Sequence, residues 1–153
     1  MLWRINCLLT QLEHVVCRGG RLKAAAVLLL HAKVSFGGTL DDRMAEMTFA
    51  SVYPHYVTKV EKNGRTKQEL HAVITWLTGF DNDEIQEAIT RELNFEAFFD
   101  LAKLNPKADQ ISGSICGYKI RDITTPLTKQ VRYLDKLVDE LAKGKALEKV
   151  LRQ

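Results

Sequence analysis

The sequence is poor in the residues that would place it outside the ordinary globular class. It has 3 Pro and 9 Gly in 153 residues, too few for a collagen-like or low-complexity chain. Its three cysteines, Cys7, Cys17 and Cys116, are an odd count without metal-ligand spacing. That speaks against a disulfide scaffold and leaves reduced thiols in a cytoplasm as the default expectation. The longest uninterrupted apolar run, Ala24 to Leu30, is far shorter than the ~18 to 20 residues that cross a bilayer. No membrane span is therefore expected. No phosphate loop, paired metal ligands or catalytic motif occurs. What is present is 46% hydrophobic and 27% charged residues, the makeup of one folded domain with a modest core.

The formal net charge of +3 is unevenly placed. Residues 1–43 hold six Lys/Arg and three Asp/Glu, while residues 44–153 hold sixteen of each. The part that reads as folded thus lacks the overall positive charge that draws in a polyanion. Within it, Asp81 to Asp100 carries seven acids against Arg91, and Lys119 to Gln153 carries nine bases against five acids. The plainer reading is two solvated faces of opposite sign. The sharper one is a basic C-terminal face that meets an acidic partner.

From Thr48 onward the apolar period is helical. Phe49, Val52, Tyr53, Tyr56, Val57 and Val60 form one stripe, interrupted at Pro54, where a restart of the helix is preferred over a kink. Thr66 with Glu69, and Asp81 with Glu84, have the spacing of capping boxes and open two further helices. Asn94 can cap a short fourth helix rich in phenylalanine, which Asn105-Pro106 ends. Residues 107–124 fit neither period and are read as a short helix and an extended link. Thr125-Pro126 starts a long helix with a wide apolar arc, closed by Gly144 and followed by a short last helix. The expected fold is all-α, a compact orthogonal bundle of five to seven short helices, with residues 1–43 as an N-terminal extension and 44–153 as the domain. The extension is either a helical hairpin packed on the domain or upstream sequence from a start codon assigned too early. Met44 and Met47 stand just before the first clear helix.

Phe49-Ala-Ser-Val-Tyr-Pro-His-Tyr-Val, Gly64-Arg-Thr-Lys, Ile74-Thr-Trp-Leu-Thr-Gly, Ile115-Cys-Gly and the run from Val131 to Ala146 occur in this order. Together they resemble a small bacterial family catalogued as domain of unknown function family 2200, over about Asp41 to Arg152. The resemblance implies a short helical cytoplasmic protein, and brings no activity, cofactor or catalytic residue with it. Residues 1–40 lie outside the family pattern.

Seven residues are candidates for a pocket or an interaction surface: His55, Tyr56, Trp76, Cys116, Arg132, Asp135 and Lys136. Each also has a plain structural reading. Aromatics on an apolar stripe are more often core than ligand platforms. Cys116 lacks a base in sequence and reads as a small buried thiol. Arg132 with Asp135, and Asp139 with Lys143, are spaced for exposed helical pairs of about 0.2–0.5 kcal/mol. His14, His31, His55 and His71 lack a second ligand at helical spacing, so no metal and no cofactor is expected. A helix-turn-helix around Gly64 to Gly79 is disfavoured because Asp81, Asp83 and Glu84 would repel phosphates. The leading expectation is a non-enzymatic interaction or adaptor module whose partner is a protein or a second copy of the chain. The alternatives are a small-ligand-binding protein or enzyme, and then a nucleic-acid-binding domain.

Overall fold

A computed structural model describes residues 40–153; the expectations for the first thirty-nine residues lie outside the described residues. Seven α-helices make up most of the domain: α1 (Leu40–Glu46), α2 (Phe49–Glu61), α3 (Lys67–Thr78), α4 (Asn82–Thr90), α5 (Phe95–Leu101), α6 (Pro126–Ala142) and α7 (Leu147–Val150). The fold is mostly all-α, as the helical periods imply. The starts follow the chemistry of the caps. Thr66 and Asp81 each complete a reciprocal capping box with Glu69 and Glu84, so two orphan amides per helix are satisfied by two side chains. Thr48 and Asn94 cap α2 and α5 by accepting from the amides of Ser51 and Ala97.

These last two caps are also joined to each other. Thr48 and Asn94 form an isolated antiparallel bridge, with the Phe49 amide donating to Leu93 O at 2.8 Å and the Phe95 amide to Met47 O at 2.9 Å. Two helices distant in sequence therefore start from one shared rung.

Three features differ from the sequence expectation. First, α2 runs unbroken through Pro54 instead of restarting there. A proline within a helix costs about 3 kcal/mol, but Phe49, Val52, Tyr53, Tyr56 and Val60 are buried on both sides of it, and Pro54 itself lies on the exposed side. One continuous helix keeps both halves of the stripe in the core. Second, α5 ends at Leu101, before Asn105-Pro106, because residues 103 and 105 have another task. Their amides donate to Thr78 O and Leu77 O, which are otherwise unpaired carbonyls at the end of α3. Third, the expected short helix and link is a 3-10 turn (Pro106–Gln110), a two-residue hairpin and a second 3-10 turn (Ile120–Asp122). The hairpin pairs β1 (Ser114–Ile115) with β2 (Tyr118–Lys119). Its turn residues Cys116 and Gly117 have φ of 54° and 83°, the left-handed pair that a tight two-residue hairpin demands.

α6 is the axis of the domain and packs against α1, α2, α3, α5 and α7. α1 packs against α5 and α6, runs across positions 43 and 44, and buries Met44. On one side of the core, Phe98 is stacked on Phe49 with centroids 4.3 Å apart and meets Phe80 and Phe99 edge-on at 5.2 Å. Opposed ring edges and faces of this kind favour contact beyond simple burial. The C-terminus is latched to α6 by Glu140, which accepts from Lys145 and from Arg152, both at 2.8 Å.

Candidate functional site

The sequence-selected residues separate into a buried group and a peripheral one. Tyr56 on α2 donates to Asp135 Oδ1 on α6 at 2.7 Å, and Arg132 Nη1 donates to Asp135 Oδ2 at 3.0 Å. Tyr56 is fully buried, and Arg132 and Asp135 are 5% and 6% exposed. One helical turn further along the same seam, Asp139 accepts from Lys59 on α2 at 3.1 Å and from Lys143 at 2.7 Å. Tyr56 and Lys59 are three apart on α2; Asp135 and Asp139 are four apart on α6. Both spacings return to one helix face, so the two helices meet in two polar rungs.

Both pairs form at the spacings the sequence offers, but they are not the solvent-exposed pairs expected: Arg132, Asp135 and Asp139 are buried, and only Lys143 stays exposed. The α6 arc is so wide that Val131 to Asp135 are all buried, and the charges are carried inward with it. Burial raises the Asp135 pKa above the ordinary carboxylate value, against the pull of Tyr56 and Arg132. Burial likewise drives the Tyr56 hydroxyl well above its usual pKa, and the negative charge of Asp135 adds to this. At Asp139 burial also acts upward, but the bonds from Lys143 and Lys59 together outweigh it and hold the carboxyl below its usual value. Among the described residues, no buried side-chain nitrogen or oxygen lacks a hydrogen-bond partner. The seam is therefore closed, with its polar groups spent on one another.

The remaining candidates are scattered. His55 is exposed, and Trp76 is half-buried and joined to Asn105 through its own carbonyl. Lys136 is half-buried and donates to Ser114 O at 3.2 Å, holding the hairpin to α6. Cys116 sits half-buried in the hairpin turn, with Arg132 Nη1 3.5 Å from its sulfur. It is disulfide-bonded, where the sequence reading expects a reduced, buried thiol; its partner lies outside the described residues.

Sequence reasoning passed over Tyr53. Its hydroxyl is 2.7 Å from His71 Nε2, and His71 Nδ1 is 2.8 Å from Asn82 Oδ1, a clasp across α2, α3 and α4. With the amide oxygen of Asn82 as acceptor, the proton belongs on Nδ1 and Tyr53 donates to Nε2. His71 and Asn82 border an open groove of about 490 Å³ with Gln68, Thr75, Asp83 and Gln86. The available signal was the position of Tyr53 on the same stripe as Tyr56, three residues before it. No group of three or more His, Cys, Asp or Glu that could hold a metal occurs among the described residues.

The fold and this closed seam define a small helical domain organised around one amphipathic helix with an ionic interior. The chain belongs to the family described as uncharacterized protein conserved in bacteria (DUF2200), whose profile matches residues 43–152. It is similar to a solved structure titled "Crystal structure of uncharacterized protein SP1917", with 37% identity and a TM-score of 0.69, over 75% of this chain and 95% of that one. A comparison with curated proteins finds no match.

Proposed function

We propose that the chain is a small non-enzymatic helical interaction module. The observation that carries this is the state of the Tyr56–Asp135–Arg132 group. These titratable side chains converge, as those of a reaction centre do, yet they converge in the packed interior and are paired to one another. A site for chemistry needs such groups around a concave space that admits a substrate. Here their work is to fix the α2–α6 seam, which leaves surfaces to do the recognising.

The test pairs partner identification by in-cell cross-linking with a metabolite thermal-shift screen. The reading expects cross-links to another protein and a flat screen. A metabolite at a hundred times its dissociation constant adds about 2.7 kcal/mol of stability; such a shift, with no protein cross-link, overturns the reading.

The groove beside His71 favours the second reading, a small-ligand site, since its wall offers amide, hydroxyl and imidazole groups. Nucleic-acid binding ranks third, and retention on heparin at low salt would revive it. No described helix is long and apolar enough to cross a membrane. We place the protein in the cytoplasm, which the odd cysteine count supports; the disulfide at Cys116 argues the other way. Thiol trapping in cells decides, and a Cys116 already oxidised there sinks the cytoplasmic assignment.

A further inference from the structure

On the outer side of α4, away from the His71 clasp, lies a depression of about 170 Å³ lined by Phe80, Ala88, Leu93 and Leu101 and by the charged side chains Glu84, Glu87 and Arg91. Leu101 is 58% exposed, one of two large hydrophobic side chains left exposed among the described residues. The seven acids between Asp81 and Asp100 are all exposed. The single base among them, Arg91, is engaged with Glu87 at 3.0 Å. An apolar spot on a segment where exposed acids outnumber the one base, itself paired, calls for an occupant with one apolar anchor and several positive charges.

We infer that this α4–α5 face docks a basic amphipathic helix of a partner protein, with a leucine-sized anchor in the depression and lysines or arginines over the carboxylates. The inference rests on the interaction-module reading and names the partner's chemistry. The depression is smaller than the roughly 300–1,000 Å³ of a small-molecule site, but it suits one buried anchor residue, the usual centre of a recognition patch. Phosphate surfaces, whether nucleic acid or anionic membrane, are repelled by the acids. A second copy docking through the same face would set carboxylates against carboxylates, so like charge disfavours it. A helix laid into a groove supplies both anchor and charge from one face, with anchors at three- and four-residue spacing.

The test uses the full chain and a fluorescein-labelled 18-residue peptide of leucine and lysine in amphipathic helical order. The control has the same composition with its leucines scattered, so that it has equal charge but no apolar face. By fluorescence anisotropy the patterned peptide binds about tenfold or more tightly than the scattered one, a difference of about 1.4 kcal/mol. Leu101→Asp removes that advantage. Asp100→Lys and Glu84→Gln each weaken binding several-fold and flatten its salt dependence. Circular dichroism checks that the variants stay folded, and Asp100→Lys, at an exposed position, serves if Leu101→Asp does not. Equal binding of the two peptides overturns the inference, because charge alone then suffices. So does unchanged binding by the folded Leu101→Asp chain. Carbodiimide cross-links from Lys23 or Lys33 to these carboxylates within one chain would overturn it in favour of the chain's own first residues, and a Leu101-dependent dimer would do so in favour of a second copy. A protein partner cross-linked to another face overturns this surface while leaving the interaction-module reading intact.

Discussion

Two regions of the core are held by different physics. Around Phe98 the core is aromatic, and its contacts with Phe49, Phe80, Phe95 and Phe99 are held by burial that changes little with small shifts or with pH. Along the α2 seam the contacts are directional: Tyr56 and Lys59 must meet Asp135 and Asp139, and a helix sliding by one residue would leave buried charges unpaired. The aromatic side supplies cohesion, and the ionic side sets the register. A buried ionic pair is weak evidence of net stability, since well-packed apolar groups often do as well or better. Its contribution here is to penalise alternative packings.

Substitutions can separate these two roles. The largest effects come from emptying either side. Phe98→Ala should cost about 3–5 kcal/mol through lost burial and the cavity left behind, and Asp135→Ala a similar 3–5 kcal/mol by removing the buried carboxylate that Tyr56 and Arg132 share, both read by urea unfolding. The sides differ in rescue: Arg132→Met and Asp135→Leu combined with Tyr56→Phe, which leaves no buried hydroxyl without its acceptor, should recover most of the Asp135→Ala loss. Failure of that triple variant to recover would show that the polar group itself, and not its disruption, supplies the stability. Next, Tyr56→Phe removes one bond to a buried carboxylate and should cost about 1.5–3 kcal/mol with little change in volume.

Of the two sides, acid should act on the ionic one. Asp139 and Glu140 have folded pKa values below the ordinary carboxylate range; at each, burial pushes upward and is outweighed by bonds from Lys143 and Lys59, or from Arg152 and Lys145. Their stabilisation is complete above the unfolded value of about 4 and is lost as pH falls through the folded values. Asp135 acts in the opposite sense, since a raised folded pKa means that protonation favours the native state. The decline in stability below about pH 4 should therefore be shallower in Asp139→Asn than in the parent, and unchanged in slope in Phe98→Ala. Equal slopes in parent and Asp139→Asn would remove Asp139 from the acid response. Smaller still is Thr66→Ala at the start of α3, outside both regions, at about 1 kcal/mol.

The helices were legible because their starts are written in local chemistry: Thr66-x-x-Glu69 and Asp81-x-x-Glu84 need only three residues to declare a cap. The pairing partners within α6 were legible for the same reason, being three and four residues apart. Their burial was not, since Asp135 meets Tyr56 across seventy-nine positions and no local spacing carries that. Pro54 misled because its cost is local, while the stripe that overrides it is tertiary. The hairpin at 114–119 is too short to show alternation, and His71 outranks His55 only through contacts with Tyr53 and Asn82, which lie on other helices.

The shared rung between Thr48 and Asn94 makes the α2–α4 segment a loop whose ends are tied together at the base. The exposed turn at Asn63-Gly64 lies inside that loop, so a protease nicking the backbone there would divide the chain without freeing either piece. One fragment would keep α2 bonded through Phe49 to Leu93 O, and the other would keep α5 bonded back through Phe95 to Met47 O. The domain is in this sense already arranged as two complementing halves, and co-expressed fragments divided at Gly64 are the natural form in which to use it as a split reporter.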